Sequence, residues 1–321
     1  MSKIAFVFPG QGAQYGGMGR DFYESRMESR RVFQEMSEAC GMDLPKLCFT
    51  ENEMLSITSY TQIAMLAVEA AILAAVRELG IIPSVTAGLS LGEYGALLAS
   101  GVMETADAAR VVAKRGQYMQ EAVPEGGAMS AVLGLEAEKI EAVLRQLGEE
   151  RADGTIDLER SKEKEGPVYI ANYNCPGQIV ISGEAKGVAA ATEALKNAGA
   201  RRVLPLHVSG PFHTPLLYQA GERLEEALKP VSLRNMEIPY VSNVTADYVR
   251  DTGKVKELLK RQVVSSVRWQ QSVERMLADG VDTFVEIGPG HTLTGFLKKI
   301  DKSARGISLE KLEDLEKLRG L

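Results

Sequence analysis

Three short runs of β-prone residues are each cut off by a glycine-rich turn: K-I-A-F-V-F before P-G-Q-G, S-V-T-A before G-L-S-L-G, and T-F-V-E-I before G-P-G at 288–290. The first is apolar almost throughout, which suits a strand covered on both faces, the habit of parallel strands lying between helical layers. Helical spacing occupies residues 21–40 and 61–79, and the apolar stretch Leu91–Ser100 forms a helix closed by Gly101. Strand, turn and helix in succession is the rhythm of an α/β chain with a parallel sheet.

From Ala128 the rhythm changes. A strand A-M-S-A-V-L-G is followed by a helix over 136–147, a strand V-Y-I-A-N-Y, the turn C-P-G, a strand Q-I-V-I-S-G, a helix over 188–198 and a strand R-R-V-L-P-L. That β-α-β-β-α-β order is the split βαβ arrangement of ferredoxin-like subdomains. With 321 residues predicting about two domains, residues 127–204 are expected to be inserted into a discontinuous larger domain, 1–126 plus 205–321, with Gly126-Gly127 as one hinge. Its second part offers a strand over 238–242 and a helix over 254–263. Residues 149–165 are mostly charged and read as a solvated insertion, and the charged, weakly helical segment from Asp301 onward reads as a surface tail.

Composition removes several classes. Lys and Arg number 37 against 43 Asp and Glu, a net charge of −6 that argues against a nucleic-acid binder. Cys40, Cys48 and Cys175 make an odd set without a C-x-x-C pair, so reduced bystanders in a cytoplasmic protein are expected. His207, His213 and His291 are too dispersed for an H-E-x-x-H zinc motif. The apolar start of the chain is too short for a signal peptide. The stretch Ile63–Ile82 carries Glu69, Arg77 and Glu78 and reads as a buried helix rather than a membrane span. No membrane partner is expected, and the chain is expected to be a monomer.

The sharpest chemical feature is G-L-S-L-G at 88–92, a G-x-S-x-G between an expected strand and an expected helix, the context of a nucleophile elbow. Small residues at 88 and 92 let the backbone fold back and present Ser90 at a helix N-terminus, where the Leu91 N–H points at any oxyanion that forms. The string alone is a weak signal, and a serine N-cap after a glycine turn is the plain alternative. A serine also needs a base. His207 lies in an apolar strand and His291 follows the G-P-G turn; His213, in the loop S-G-P-F-H-T-P-L, is the candidate.

Together F-P-G-Q-G at 8–12, Y-T-Q at 60–62, G-L-S-L-G-E at 88–93, K-R-G at 114–116, G-P-F-H at 210–213 and E-I-G-P-G at 286–290 resemble the malonyl-CoA:acyl carrier protein transacylase family over nearly the whole chain. The resemblance implies an α/β-hydrolase-like large domain, an inserted ferredoxin-like small domain, and a Ser90–His213 pair in the cleft between them. In that family the histidine is oriented by a carbonyl rather than an aspartate, and Gln262 matches that position. It further implies Arg115 as a clamp for the malonyl carboxylate, suited by its planar guanidinium. Gln11 and Leu91 would be the oxyanion donors, Gln62 a pocket residue, and Phe212 a bulky group that excludes an α-methyl branch.

The implied activity is ping-pong transfer of a malonyl group from coenzyme A to the pantetheine thiol of an acyl carrier protein, with malonyl-CoA and the carrier as partners, no cofactor and no metal, in fatty acid or polyketide synthesis. One departure stands out: family members usually carry histidine where this chain has Leu89. Both partners are acidic, so Arg201, Arg202, Lys260, Arg261 and Arg268 are candidates for a basic patch that offsets the net charge. Three rivals remain. A serine esterase normally places an acid between Ser and His. A dinucleotide binder is disfavoured because Gly10 and Gly12 are followed by Tyr15, which breaks G-x-G-x-x-G. A carrier-binding module would form no covalent intermediate.

Overall fold

The computed structural model describes residues 2–123, 125–148, 166–206, 208 and 210–321. Strands β1 (Ile4–Phe8), β2 (Val85–Gly88), β7 (Tyr240–Val241), β8 (Tyr248–Val249), β9 (Thr283–Ile287) and β10 (Arg305–Leu309) form one sheet in the order β10-β9-β1-β2-β7-β8. All neighbours run parallel except the β7–β8 hairpin. All five residues of β1 are buried, for a reason visible in its alternation. Phe6 and Phe8 pack into one core with the helices Met27–Cys40, Thr58–Glu78 and Thr105–Ala122, while Ala5 and Val7 enter a second core with Trp269, Val273 and the helix Thr292–Ile300. A strand with helices on both faces has no side left for polar residues.

Strands β3 (Gly127–Leu133), β4 (Val168–Cys175), β5 (Gln178–Glu184) and β6 (Arg202–Pro205) form a separate antiparallel sheet in the order β4-β5-β3-β6. The helices Ala137–Gly148 and Ala185–Asn197 connect them, and Val132, Ile140, Ile170, Ile181 and Leu195 make a core of their own. First and second strands are thus separated by the third, the split βαβ order. Val267, buried in the second core with Ala5 and Val7, is bonded to β4 through Tyr173 N–H to its carbonyl (2.9 Å) and its own N–H to the Ala171 carbonyl (2.8 Å). Where the chain enters and leaves the sheet, Gly127 lies against Pro211: a Cβ at 127 would sit 2.3 Å from Pro211 Cδ.

The helix Thr58–Glu78 is apolar and long enough to cross a membrane, but 83% of its most apolar window is buried inside the molecule, as the charged residues within it suggested. Glu69, at its middle, is fully buried.

Several expectations are corrected. The segment beyond Asp301 is no surface tail: Arg305–Leu309 adds a parallel strand beside β9, and Leu309, Leu315 and Leu318 are buried. Its apolar residues are few, but each points inward. The helix expected over 21–40 breaks at Arg26, whose backbone is extended. The strand expected over 238–242 shortens to Tyr240–Val241 because the chain then turns back into β8. A helix after the His213 loop and a helix start at His291 are met by Tyr218–Leu228 and Thr292–Ile300, while Trp269–Ala278 was not anticipated. His207 and the charged insertion at 149–165 lie outside the described residues.

Candidate active site

The carboxyl ends of β1, β2 and β9 open towards the small sheet, the edge at which parallel α/β sheets bind ligands. A cavity of about 380 Å³ lies there, lined among others by Gln11, Ser90, His213, Phe212 and, from the small sheet, Asn172 and Asn174.

Ser90 occupies the turn between β2 and the helix Gly92–Ala99. Its φ of 54° is left-handed, a conformation that a non-glycine residue holds only where its surroundings impose it. The glycines explain how the turn closes. A Cβ at Gly88 would meet the Gly92 carbonyl carbon at 1.9 Å, and one at Gly92 would meet the Phe8 carbonyl oxygen at 2.1 Å. Asn243, just past β7, brackets the turn: its Oδ1 accepts from Ser90 N–H at 2.7 Å and its Nδ2 donates to the Gly88 carbonyl at 2.6 Å.

Ser90 Oγ lies 2.7 Å from His213 Nε2. His213, also left-handed at φ 60°, places Nδ1 2.9 Å from the main-chain carbonyl of Gln262. A carbonyl only accepts, so Nδ1 carries the proton, Nε2 is bare, and the serine hydroxyl donates to it. Burial, and next the Arg115 charge, pull the His213 ring down to about 4, against hydrogen bonds to backbone carbonyls that oppose them. The imidazole is therefore neutral at neutral pH and able to take a proton.

Arg115, on the helix Thr105–Ala122, is 1% exposed. It donates from Nη1 to Gln62 Oε1 (2.6 Å), and from Nη2 to Gln262 Oε1 (2.9 Å) and Ser90 Oγ (3.2 Å). A buried guanidinium with a hydrogen bond to the candidate nucleophile and, among the described residues, no carboxylate bonded to it suits an anionic ligand. Burial lowers its pKa, opposed by Tyr94 and Glu93. Gln62 lies in the second turn of Thr58–Glu78, buried, and its Nε2 contacts Met119 Sδ at 3.5 Å. Gln262 Nε2 reaches the Ser90 carbonyl (2.8 Å) and Glu93 Oε2 (2.7 Å).

Gln11 and Leu91 flank Ser90 at the ends of β1 and β2, and among the described residues neither N–H is taken up by a hydrogen bond. The Gln11 side chain donates to Thr58 Oγ1 at 3.2 Å. Phe212 is buried beside His213 and lines the cavity, as does Leu89. The eight residues singled out from sequence and resemblance thus converge. Asn243 and Glu93 were missed. Glu93 follows the elbow directly and Asn243 ends the run Y-V-S-N, yet nothing in either string tells of a contact with the other. The suggested basic patch is weakened, because Lys260 lies 2.7 Å from both Glu222 and Glu225 and Arg261 is 3.4 Å from Glu257.

Residues 5–314 match the acyl transferase domain family. A malonyl CoA-acyl carrier protein transacylase of Bacillus subtilis is 44% identical over 98% of this chain and 96% of its own. This chain belongs to the malonyl-CoA:acyl carrier protein transacylase family. The crystal structure of the family member from Clostridium perfringens superposes with a TM-score of 0.89 at 42% identity, covering 98% of this chain and 96% of that one. A malonyl-transacylase solved in complex with a type II polyketide-synthase acyl carrier protein has a TM-score of 0.90 at 37% identity, covering 98% of each chain.

Proposed function

We propose that the protein transfers malonyl groups from coenzyme A to the phosphopantetheine thiol of an acyl carrier protein, in fatty acid or polyketide synthesis, as a cytoplasmic monomer without a cofactor. Residues 127–204 form the inserted lobe that closes the cleft on residues 1–126 and 205–321. The observation that carries this reading is a buried arginine bonded to the same serine oxygen that faces a neutral imidazole.

Ser90 Oγ attacks the thioester carbonyl carbon of malonyl-CoA while its proton passes to His213 Nε2. The carbonyl electrons move onto oxygen, where the N–H groups of Leu91 and Gln11 receive them, each worth about 3 kcal/mol in comparable sites. Collapse expels the CoA thiolate, which takes the proton from His213, and leaves a malonyl-serine ester. The carrier thiol then gives its proton to His213 and attacks the ester, and collapse returns that proton to Ser90. The main-chain carbonyl of Gln262 holds the tautomer throughout. Arg115, supported by Gln62, grips the malonyl carboxylate, and Phe212 leaves little room for a branch at the α-carbon.

Intact-mass measurement after exposure to malonyl-CoA is expected to show one added malonyl group, lost in Ser90→Ala and discharged by a holo carrier protein. A Ser90→Ala protein that still transfers at the full rate refutes the assignment. Parallel exposure to methylmalonyl-CoA tests Phe212: equal labelling removes its role in selection.

A further inference from the structure

Glu93 has no part in the chemistry above, yet it is fully buried directly behind the nucleophile. We propose that Glu93 is a positioning residue whose carboxylate sets which way round the Gln262 amide sits and so aims the Arg115 guanidinium at the acyl group; this rests on the transacylase reading.

An amide can be turned end for end with little change in shape, but not in hydrogen bonding. With oxygen towards Arg115 it supports the guanidinium; with nitrogen there, two donors would face each other. Glu93 Oε2 accepts from Gln262 Nε2 at 2.7 Å, and the same nitrogen donates to the Ser90 carbonyl at 2.8 Å. Both hydrogens of that amide are therefore committed to acceptors, and Oε1 is left to receive Arg115 Nη2 at 2.9 Å. Glu93 Oε2 also accepts from the Asn243 N–H at 3.3 Å, and Asn243 brackets the elbow from the other side. One carboxylate thus steadies both residues that hold the main-chain N–H and C=O of a left-handed serine, Asn243 and Gln262, and the Gln262 amide is also the one that orients the clamp. Unlike the buried Glu69, this carboxylate has its Oε2 bonded to groups of the elbow's own scaffold. Burial pushes the carboxyl up to about 7, while Gln262, Asn243, Arg115 and Ser242 favour its ionised form.

The test compares single-turnover acylation of Ser90 by malonyl-CoA and by acetyl-CoA in the wild type, Glu93→Gln, Arg115→Ala and the double variant. Replacing the carboxyl by an amide is expected to lower the malonyl-to-acetyl rate ratio by about tenfold, because the acceptor-only group that fixes the Gln262 amide becomes one that can itself turn and present donors. In the Arg115→Ala background the same substitution is expected to leave the ratio unchanged. Equal losses for both substrates, or the same change of ratio with and without Arg115, overturn the proposal. Should Glu93→Gln fail to fold, Gln262→Met breaks the same link, and an unaltered ratio there overturns it equally. A wild type that takes up no malonyl group refutes the transacylase reading itself, whereas a labelled wild type with an indifferent Glu93→Gln refutes only the role of Glu93.

Discussion

At the scale of single residues, Arg115 acts in two directions. Its Nη2 donates to Ser90 Oγ, a contact that a malonyl carboxylate would contest under the proposed role, and its charge is the second cause, after burial, of the depressed His213 pKa. Replacing it with alanine is expected to cut malonyl transfer about 100-fold, from the loss of a charge-assisted bidentate grip, and acetyl transfer far less. Comparable losses for the two substrates argue against a carboxylate clamp. The same variant relieves His213 of a neighbouring cation, so its ring is expected to gain its proton at a higher pH than the value of about 4 in the resting enzyme. Ring-proton NMR resolves this readily, with only three histidines in the chain. An unchanged titration removes the electrostatic link.

At the scale of elements, the helix Thr58–Glu78 carries a liability. Glu69 is fully buried, among the described residues neither carboxylate oxygen has a hydrogen-bond partner, and burial raises its pKa well above the ordinary 4.5. The folded chain thus holds this proton to a higher pH than the unfolded chain, which releases it around pH 4.5. Stability therefore falls as pH rises through that point, and below it the ionisation contributes nothing. Glu69→Met keeps the length of the side chain and removes the acid. It is expected to raise the unfolding free energy by about 2 kcal/mol at pH 8 and by less at pH 5, read from urea melts at both. An identical gain at the two pH values shows that ionisation is not the cause.

At the scale of the whole molecule, the cavity is walled by both sheets, and acyl transfer has to outrun hydrolysis. The tight passage of Gly127 past Pro211 fastens the small sheet at its point of entry and exit. Gly127→Ala drives a methyl group into that ring, which is expected to loosen the cleft and shorten the lifetime of the malonyl-enzyme several-fold in the absence of a carrier. Mass spectrometry over time follows the decay. A lifetime equal to that of the wild type shows that this junction does not control water entry.

Much of this arrangement could be read along the chain, because its causes are local. A strand buried on both faces must be apolar throughout, as β1 is, and a backbone that folds back within five residues needs glycine where Gly88 and Gly92 stand. The motif order carried the family, and with it the serine, the histidine and the arginine. Distant partnerships left no such trace. Leu309, Leu315 and Leu318 look unremarkable in a charged segment until β9 offers an edge for the chain to join. Asn243 lies 153 positions from the serine whose backbone it holds, and Glu93 lies 169 from the amide it orients. Hydrogen bonds of this kind impose no periodicity on their neighbours in sequence; they arise only once folding has brought the ends of separate strands to one edge.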